Sequence, residues 1–308
     1  MMRLISKILI PLVVAIMAGC GQSYDDAKKL NEQKQRQNQR EDSLALKVGV
    51  MPTLDCLPLY VAKENGLFGQ DSVDIRLKQF SSQIDCDAAI SSGRVEGGIT
   101  DLVRAQRMKS KGVALDYVAA TNTYWQLISN RRARIRRIGQ LKEKMIAMAR
   151  FSATALLADY AADSARLRRD DVFKIQINDV GTRLQMLLNN EMDAMMLTEP
   201  QASRARLGNN PVLMDSRDKD IWLGVIAFRS KAIADKNRKR QLAAFIKGYN
   251  AACDSINKNG VKHYADIIKK YCKSDDKTIK AMPKMKFGHT GLPRQKDVNA
   301  AAKWLKQQ

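Results

Sequence analysis

Several apolar runs of the chain end in polar side chains that suit hydrogen bonding to a small ligand. Thr53 and Asp55 follow the first run, and Thr100 and Asp101 end a later one. Hydroxyls and carboxylates give directional hydrogen bonds, and a helix that starts beside them adds free backbone N–H groups that favour an anion. We therefore predict a ligand-binding site from these residues, although Asp55 is equally suited to capping the helix that follows it.

The same arrangement recurs further along the chain, and aromatic residues lie between the two halves. Tyr124 and Trp125 could stack on a flat ligand or pack in a hinge, and Arg150 could pair with an acidic group or lie on the surface. Ser152 could contact the ligand or cap a helix, and Glu199 could receive an amine or support a turn. The predicted ligand-binding residues are Thr53, Asp55, Ser81, Ser82, Thr100, Asp101, Asn122, Tyr124, Trp125, Arg150, Ser152, Thr154 and Glu199.

Residues that carry covalent catalysis or bind metals are sparse. His263 and His289 have no partners nearby in sequence, and the cysteines show no CxxC or Cys/His spacing. We expect no catalytic residue, no metal site and no cofactor. The four cysteines after residue 20 could form two disulfides in an oxidising compartment, with Cys56–Cys86 as the most plausible pair, or remain free buried thiols.

Strand-like and helix-like segments alternate through most of the chain, which is typical of an α/β fold. Residues 44–51 form a nearly continuous apolar run, the mark of a strand covered on both faces. Residues 73–80 alternate apolar and polar side chains, as in a half-buried strand. A helix between them, starting near Pro58 and ending at Gly66, completes a βαβ unit.

The two halves of the chain have similar patterns, which predicts two similar lobes. Residues 92–100 and 189–197 each contain a helix end, an acidic residue and a strand. Gly93 and Asn190 stand at the helix ends, and both residue types tolerate the left-handed conformation. The crossings between the lobes are predicted within residues 123–141 and 221–231.

The N-terminus has the features of an export signal. Arg3 and Lys7 precede an apolar run that is too short for an ordinary transmembrane helix, and small residues precede Cys20. This resembles the lipobox of bacterial lipoproteins, although Met17 stands where leucine is usual, and it implies cleavage before Cys20 and acylation of that residue. A plain signal peptide is the alternative. Residues 20–43 are almost without apolar side chains and predict a solvated, flexible, lipid-anchored tether.

The chain is strongly basic, with a formal charge of +21 over 308 residues. Residues 1–19 carry two basic residues and no acidic one, so removing them leaves +19. This charge favours contact with anionic lipids or an anionic ligand; we expect no nucleic-acid partner, because the chain is exported and has no binding signature. The segment RRARIRR (131–137) predicts either a recognition patch or the polar face of an edge strand.

Longer stretches resemble one known family. The segments LKVGVMPTLDCLPLYVAKENGLF (46–68), IGQLKEKMIAMARFSAT (138–154) and LLNNEMDAMMLTEPQA (187–202) occur in this order. They resemble periplasmic binding proteins of the sulfonate, nitrate and thiamine-precursor group, which are type II substrate-binding proteins of ABC importers. The resemblance covers nearly all of residues 44–306.

The resemblance implies an α/β, two-lobed type II periplasmic-binding-protein fold, in which each lobe is a mixed sheet flanked by helices. Lobe I would contain residues 44–122 and 223–308, lobe II would contain residues 123–222, and residues 1–19 would be the signal peptide. A small molecule would bind between the lobes, which close on it and deliver it to an ABC permease in the membrane. The protein would be a monomer, anchored to the bacterial cell membrane on its periplasmic or outer face.

The chain departs from the family pattern at two positions, and there are two alternative functions. Phe151 stands where the family often has glycine, which narrows the space for a ligand, and Asn190 replaces a helix-ending glycine. The first alternative function is a ligand-sensing or surface lipoprotein without a permease. The second is an enzyme of the kind that makes the pyrimidine part of thiamine. The ligand could be an anion, such as a sulfonate or a phosphorylated heterocycle, or a flat ring such as a thiamine precursor.

Overall fold

The computed structural model describes residues 24–69 and 73–308. The predicted signal segment and the predicted lipid attachment at Cys20 lie outside these residues. Of the described residues, 24–45 belong to one unit, and 46–69 and 73–308 belong to another. In the part of the chain that is described, no helix is long and apolar enough to cross a membrane.

Residues Tyr24–Leu44 form helix α1, which differs from the flexible tether predicted there. This stretch contains no glycine or proline and is rich in lysine, arginine, glutamate and glutamine, all of which favour helix. The amide of Gln37 donates to the carboxylate of Glu41 one turn later, at 3.0 Å. The side chains of residues 27–37 are exposed, as their polarity predicts, but their backbone is helical. Polarity therefore predicted solvent exposure and not irregular structure.

The apolar runs of residues 46–308 form ten strands in two five-stranded sheets. In chain order these are β1 (Leu46–Val50), β2 (Ile75–Gln79), β3 (Gly97–Asp101), β4 (Leu115–Ala120), β5 (Gln126–Ser129), β6 (Met145–Met148), β7 (Phe173–Gln176), β8 (Ala194–Leu197), β9 (Val212–Asp215) and β10 (Gly224–Arg229). We use lobe I for residues 46–122 and 223–308, and lobe II for residues 123–222.

The two sheets have the same topology. The strand order is β2-β1-β3-β10-β4 in lobe I and β7-β6-β8-β5-β9 in lobe II. Three parallel strands stand side by side in each sheet, and the fourth strand, β10 or β5, runs antiparallel to both of its neighbours. The similarity of the two halves predicted from the sequence is therefore confirmed, including the left-handed backbone at Gly93 and Asn190, with φ of 79° and 65°.

Helices cover the faces of the sheets and begin mostly at the carboxyl ends of strands. They are α2 (Leu57–Glu64), α3 (Gln83–Ser92), α4 (Leu102–Ser110), α5 (Ala153–Ser164), α6 (Val180–Leu188), α7 (Gln201–Leu207), α8 (Lys236–Asn259), α9 (Ala265–Cys272), α10 (Asp276–Ala281) and α11 (Gln295–Leu305). The core of lobe I includes Phe228, Phe245 and Tyr249, whose rings pack on one another. Gly97 is required beside them, because a Cβ there would lie 2.5 Å from the ring of Phe228.

The chain crosses between the sheets twice, at residues 121–125 and 216–223. The segment 131–137 is not an edge strand, so that interpretation of its arginines is wrong. Residues Arg131–Ala133 form a 3₁₀ turn capped by the side chain of Asn130, and Arg134 adopts the left-handed conformation. Ile135 is buried, which holds this turn against lobe II while the neighbouring arginines face solvent.

The C-terminal helix α11 contacts both lobes. It packs on α4 of lobe I and on α5 of lobe II. Ala301 belongs to a hydrophobic cluster that joins Leu102 and Val103 of α4 to residues of lobe II. The indole N–H of Trp304 also donates to Asp159 of α5 at 2.9 Å. The helix therefore connects the two lobes, and its N-terminal residues Arg294 and Asp297 also bond Asp220 and Trp222 of the second crossing.

The four cysteines of the folded unit, Cys56, Cys86, Cys253 and Cys272, are free and buried. Of the two alternatives that the sequence left open, the structure has the free thiols. Burial raises the pKa of the Cys56 thiol, and the nearby carboxylate of Asp55 adds to this effect. Since the thiolate is the nucleophile, such a thiol is poorly reactive.

Candidate ligand-binding site

A cavity of about 60 Å³ lies between the lobes, where the carboxyl ends of parallel strands from both sheets meet. Ligands in open α/β sheets bind at this edge. Seven of the residues predicted from the sequence line it. They are Thr53, Asp55, Thr100, Asp101, Trp125, Ser152 and Thr154.

Asp55 enters the cavity from the loop between β1 and α2. Its Oδ2 accepts a hydrogen bond from the hydroxyl of Thr123 at 2.7 Å. Its Oδ1 is buried and has no hydrogen-bond partner among the residues that the structure describes. Burial raises the pKa of Asp55, although the hydroxyls of Thr123 and Thr53 act in the opposite direction. The side chain is therefore held in place through one oxygen, and its other oxygen is a buried, unsatisfied acceptor beside the cavity.

Asp101 and Arg104 form a second charged group in lobe I. Asp101 caps α4 by accepting from the backbone N–H of Arg104 at 3.0 Å, and its carboxylate lies 3.4 Å from the guanidinium of Arg104. That guanidinium also bonds Asp87 at 2.6 Å. Burial raises the pKa of Asp101 to about 6, even though the charge of Arg104 opposes the shift. The cation of Arg104 is thus shared between two carboxylates.

In lobe II, Ser152 and Thr154 support the loop that starts α5. The hydroxyl of Ser152 donates to the carbonyl of Ala149 at 2.6 Å and accepts from the backbone N–H of Thr154 at 3.1 Å. The Thr154 hydroxyl accepts from the backbone N–H of Ala149 at 2.9 Å. Their capping role is therefore present, and both side chains also line the cavity.

Arg183 is the buried cation of lobe II, and it lies in the first turn of α6. Its Nη1 donates to the carbonyl of Met196 at 3.3 Å, while its Nε is buried without a hydrogen-bond partner. Within residues 24–69 and 73–308, no carboxylate forms a salt bridge with it. Burial and the nearby cation of Arg104 together lower the pKa of this guanidinium to about 10, although the carboxylate of Asp179 acts in the opposite direction. An unpaired buried charge is costly, so this group is suited to an anionic partner.

The other predicted residues lie outside the cavity lining, and two of them bond each other. The hydroxyl of Tyr124 donates to Glu199 at 2.7 Å, and Arg217 covers the ring of Tyr124. Glu199 is buried and also accepts from the guanidinium of Arg206 at 2.8 Å and from the backbone N–H of Ser203 at 3.0 Å. These contacts give Tyr124 and Glu199 a structural role at the crossing.

Four predicted residues remain, and none of them lines the cavity. Arg150 lines a separate surface depression, and the amide of Asn122 donates to the carbonyl of Lys286 at 2.8 Å. Ser81 donates to Asp179 of lobe II, and Ser82 forms an isolated β-bridge with the same residue. The two serines therefore stand where the lobes touch, beside the cavity.

Phe151 does not narrow the cavity as the sequence suggested. Its backbone is in the left-handed region, with φ of 51°, and its ring lies 4.0 Å from the guanidinium of Arg107 in lobe I. A bulky residue with this φ is strained, which is why a glycine fits this position well.

We expect Phe151→Gly to be more stable than Phe151→Ala by about 1 kcal/mol, because both variants lose the ring and only alanine retains the strain. Urea unfolding of the purified variants measures the difference. The same two substitutions at Phe173, an exposed strand residue, are the control, and there the alanine variant should be more stable than the glycine variant. Equal stabilities at position 151 would contradict a strained backbone.

Sequence patterns missed the two arginines of the cavity. Arg104 and Arg183 stand three and four residues after the helix caps Asp101 and Asp179. A helical side chain points back toward the helix N-terminus, so both arginines reach the strand ends. A cation in the first turn of a helix is also unfavourable with respect to the helix dipole. This unusual position was the sequence feature that could have identified both arginines as functional. The lining also includes Met51, Gln83, Ile99, Thr123, Ala149, Val180 and Thr198.

Among the described residues, no group of three or more histidine, cysteine, aspartate or glutamate side chains is arranged to hold a metal ion. His289 contacts Asp254 on the surface at 2.7 Å, and the ring of His263 packs on Tyr264. The chemistry that the cavity offers is therefore hydrogen bonding and charge pairing.

Solved structures share this fold over most of their length. The ligand-binding component of an ABC-type import system from Staphylococcus aureus, solved with zinc bound, has a TM-score of 0.72 and 17% identity, with 85% of this chain and 91% of that chain covered. The alkanesulfonate-binding protein SsuA from Xanthomonas axonopodis pv. citri, bound to MOPS, has a TM-score of 0.71 and 15% identity, with 86% and 91% covered.

The periplasmic nitrate-binding protein NrtA from Synechocystis PCC 6803 has a TM-score of 0.66 and 14% identity, with 78% of this chain and 69% of that chain covered. At these identities the similarity is one of fold. No curated protein sequence matches the chain. The family model described as NMT1/THI5 like matches residues 53–259. The resemblance stated from the sequence is thereby confirmed: the chain belongs to the NMT1/THI5-like family and has the two-lobed fold of the periplasmic binding proteins.

Proposed function

We propose that this protein is the solute-binding component of an ABC importer. It captures a small molecule between its lobes and delivers it to a permease in the membrane. The observation that carries this proposal is the cavity between the lobes, which is lined by the buried guanidinium of Arg183; no carboxylate of the described residues forms a salt bridge with it. A ligand with an anionic group supplies the missing charge when the lobes close.

The size of the cavity bears on the ligand. A volume of about 60 Å³ holds a few water-sized groups, since one water needs roughly 10–15 Å³ on this measure. A small anion fits this space better than a phosphorylated heterocycle does. Trp125 provides an apolar wall on one side, which suits a short carbon chain beside the anionic group.

The sequence before residue 24 completes the proposal. Cleavage before Cys20 and acylation of that residue would anchor the exported protein to the cell membrane as a monomer. Binding involves no covalent chemistry and no cofactor. The family membership and the import proteins among the solved structures of the same fold support this function.

A disulfide that locks the lobes together tests the capture mechanism. Ser82 of lobe I and Asp179 of lobe II form an isolated antiparallel β-bridge, so their Cα atoms are close enough for a disulfide. We expect the oxidised Ser82→Cys/Asp179→Cys variant to retain a co-purified small molecule at least tenfold longer during dialysis than the reduced variant. Native mass spectrometry measures the retained adduct.

Wild-type protein with and without the same oxidant is the control for the four natural thiols, and it should lose the adduct at the same rate in both conditions. Equal retention in the oxidised and reduced variants would show that release does not require the lobes to separate. If no small molecule is found with either form, ligand capture itself is not supported.

A further inference from the structure

The turn at residues 131–137 concentrates positive charge in lobe II. Residues 131–144 contain seven basic residues, five of them the arginines of this turn, and one acidic residue, Glu143. Their formal charge is therefore +6. Residues 20–45, in contrast, contain five basic and five acidic residues and carry no net charge. The turn is thus a distinct basic surface of the folded unit.

The backbone of the turn is held in place, and its arginines are displayed outward. Oδ1 of Asn130 accepts from the backbone N–H of Arg132 at 2.8 Å, and the hydroxyl of Ser129 donates to the carbonyl of Ile135 at 2.8 Å. Ile135 is buried, with 2% of its surface exposed, whereas all five arginines are exposed. A partner therefore meets guanidinium groups on a backbone that is already ordered, which lowers the entropy cost of binding.

The protein itself leaves most of this charge uncompensated. Within residues 24–69 and 73–308, the salt bridges of lobe II use other cations than the five arginines of the turn. The neighbouring segment 187–193 adds Glu191 and Asp193, which lowers the formal charge from +6 to +4. Segment 168–171 adds two arginines and two aspartates, which cancel. The arginines therefore repel one another in the free protein, and an anionic partner relieves this repulsion.

A surface depression of about 300 Å³ beside the turn suits a phosphate group. Its lining includes Arg131, Arg132, Asn190 and Asn209, together with the apolar side chain of Leu207. Guanidinium and amide N–H groups donate to phosphate oxygens, and arginine does so with two parallel hydrogen bonds. The leucine provides apolar surface beside these donors, as the carbon atoms of a phospholipid headgroup require.

The turn lies at the end of lobe II that is opposite the cavity. Strand β5 leads away from Trp125, which lines the cavity, and ends at Ser129 directly before the turn. Ser129 pairs with Ala194, the first residue of β8, whereas the cavity stands at the carboxyl end of that strand. A partner bound to the turn therefore leaves the cavity uncovered.

We infer that the turn and the depression dock lobe II on the anionic phospholipid headgroups of a membrane surface. Clustered basic residues bind such headgroups through their charge. A lipid surface presents many phosphates at once and engages all five exposed arginines, whereas a single small anion engages only the two that line the depression. This docking adds to any acyl anchor at Cys20 and does not depend on the ligand that the cavity holds.

Co-sedimentation with lipid vesicles tests the inference. The mature chain, residues 20–308, is produced with Cys20→Ser so that no acyl chain contributes. We expect it to bind vesicles of phosphatidylcholine mixed with phosphatidylglycerol at least about tenfold more tightly than vesicles of phosphatidylcholine alone. Added salt should remove the difference, because salt screens exposed charges.

Two triple variants remove the same charge from different surfaces. One is Arg132→Gln/Arg134→Gln/Arg136→Gln in the turn, and the other is Lys258→Gln/Lys277→Gln/Lys284→Gln at exposed positions of lobe I. The first should weaken binding to the mixed vesicles about tenfold or more, and the second less than about threefold. Thermal unfolding checks that both variants are folded.

Three outcomes would overturn the inference: the two kinds of vesicle bind equally, the two triple variants lose affinity alike, or the turn binds duplex DNA more tightly than the mixed vesicles. None of them bears on the proposed function, because the disulfide lock tests ligand capture in the cavity separately.

Discussion

Replacing Arg183 with methionine is expected to stabilise the ligand-free protein and to weaken ligand binding by about 10–150-fold. The two effects have one cause. The guanidinium is buried and forms no salt bridge with a carboxylate of the described residues. Its burial therefore destabilises the ligand-free protein, and pairing with an anionic ligand removes that destabilisation. A charge-assisted hydrogen bond contributes about 1.5–3 kcal/mol, which corresponds to this loss of affinity.

The sign of the stability change follows from the pKa of Arg183. Burial lowers this pKa to about 10, which means that the folded state disfavours the charged form relative to the unfolded state. Methionine has a similar length and no charge, so we expect the free energy of unfolding to rise by about 1–3 kcal/mol. For a folded unit of this size, each kcal/mol raises the melting temperature by about 2–4 °C.

Thermal unfolding without ligand and titration of the ligand identified by native mass spectrometry measure the two effects. Arg150→Met is the matched control, because Arg150 is exposed and does not line the cavity. It should change neither quantity. A destabilised Arg183→Met protein, or one that binds normally, would contradict the role of Arg183 as the buried cation that pairs with an anionic group of the ligand.

Glu199→Gln is expected to destabilise the protein by about 2–4 kcal/mol. Glu199 is almost completely buried and accepts hydrogen bonds from Tyr124, Ser203 and Arg206. The glutamine amide has only one accepting oxygen, and its NH₂ group would face donors. It also leaves the guanidinium of Arg206, which is about one quarter exposed, without its carboxylate. Removing one partner of a buried ion pair is strongly destabilising.

Urea unfolding measures this loss of stability. Glu191→Gln is the control, because Glu191 is exposed and accepts one hydrogen bond from Asn189 that an amide oxygen can also accept. It should change stability by less than about 0.5 kcal/mol. If Glu199→Gln unfolds like the wild type but loses the ligand, Glu199 contacts the ligand and the structural role given to it here is wrong.

Local sequence patterns were sufficient for most of the fold. The apolar run 44–51 and the alternation at 73–80 correspond to β1 and β2, because burial of one or both faces of a strand leaves its period in the sequence. Gly93 and Asn190 marked equivalent helix ends, since few residues accept the left-handed conformation. At Tyr24–Leu44 the polar composition led to the prediction of a flexible tether, but the segment is a helix, because its residues have high helix propensity.

The sequence by itself determined the order of the strands and helices and placed Thr53, Asp55, Thr100 and Asp101 at strand ends. Only the tertiary structure decided which charges are paired. Arg104 and Arg183 cannot be told apart by sequence, yet in the described part of the chain two carboxylates form salt bridges with the first arginine and none does with the second. Charge pairing depends on distances of a few ångströms between side-chain atoms, and these atoms can belong to segments that are far apart in the chain. A local sequence pattern does not contain those distances.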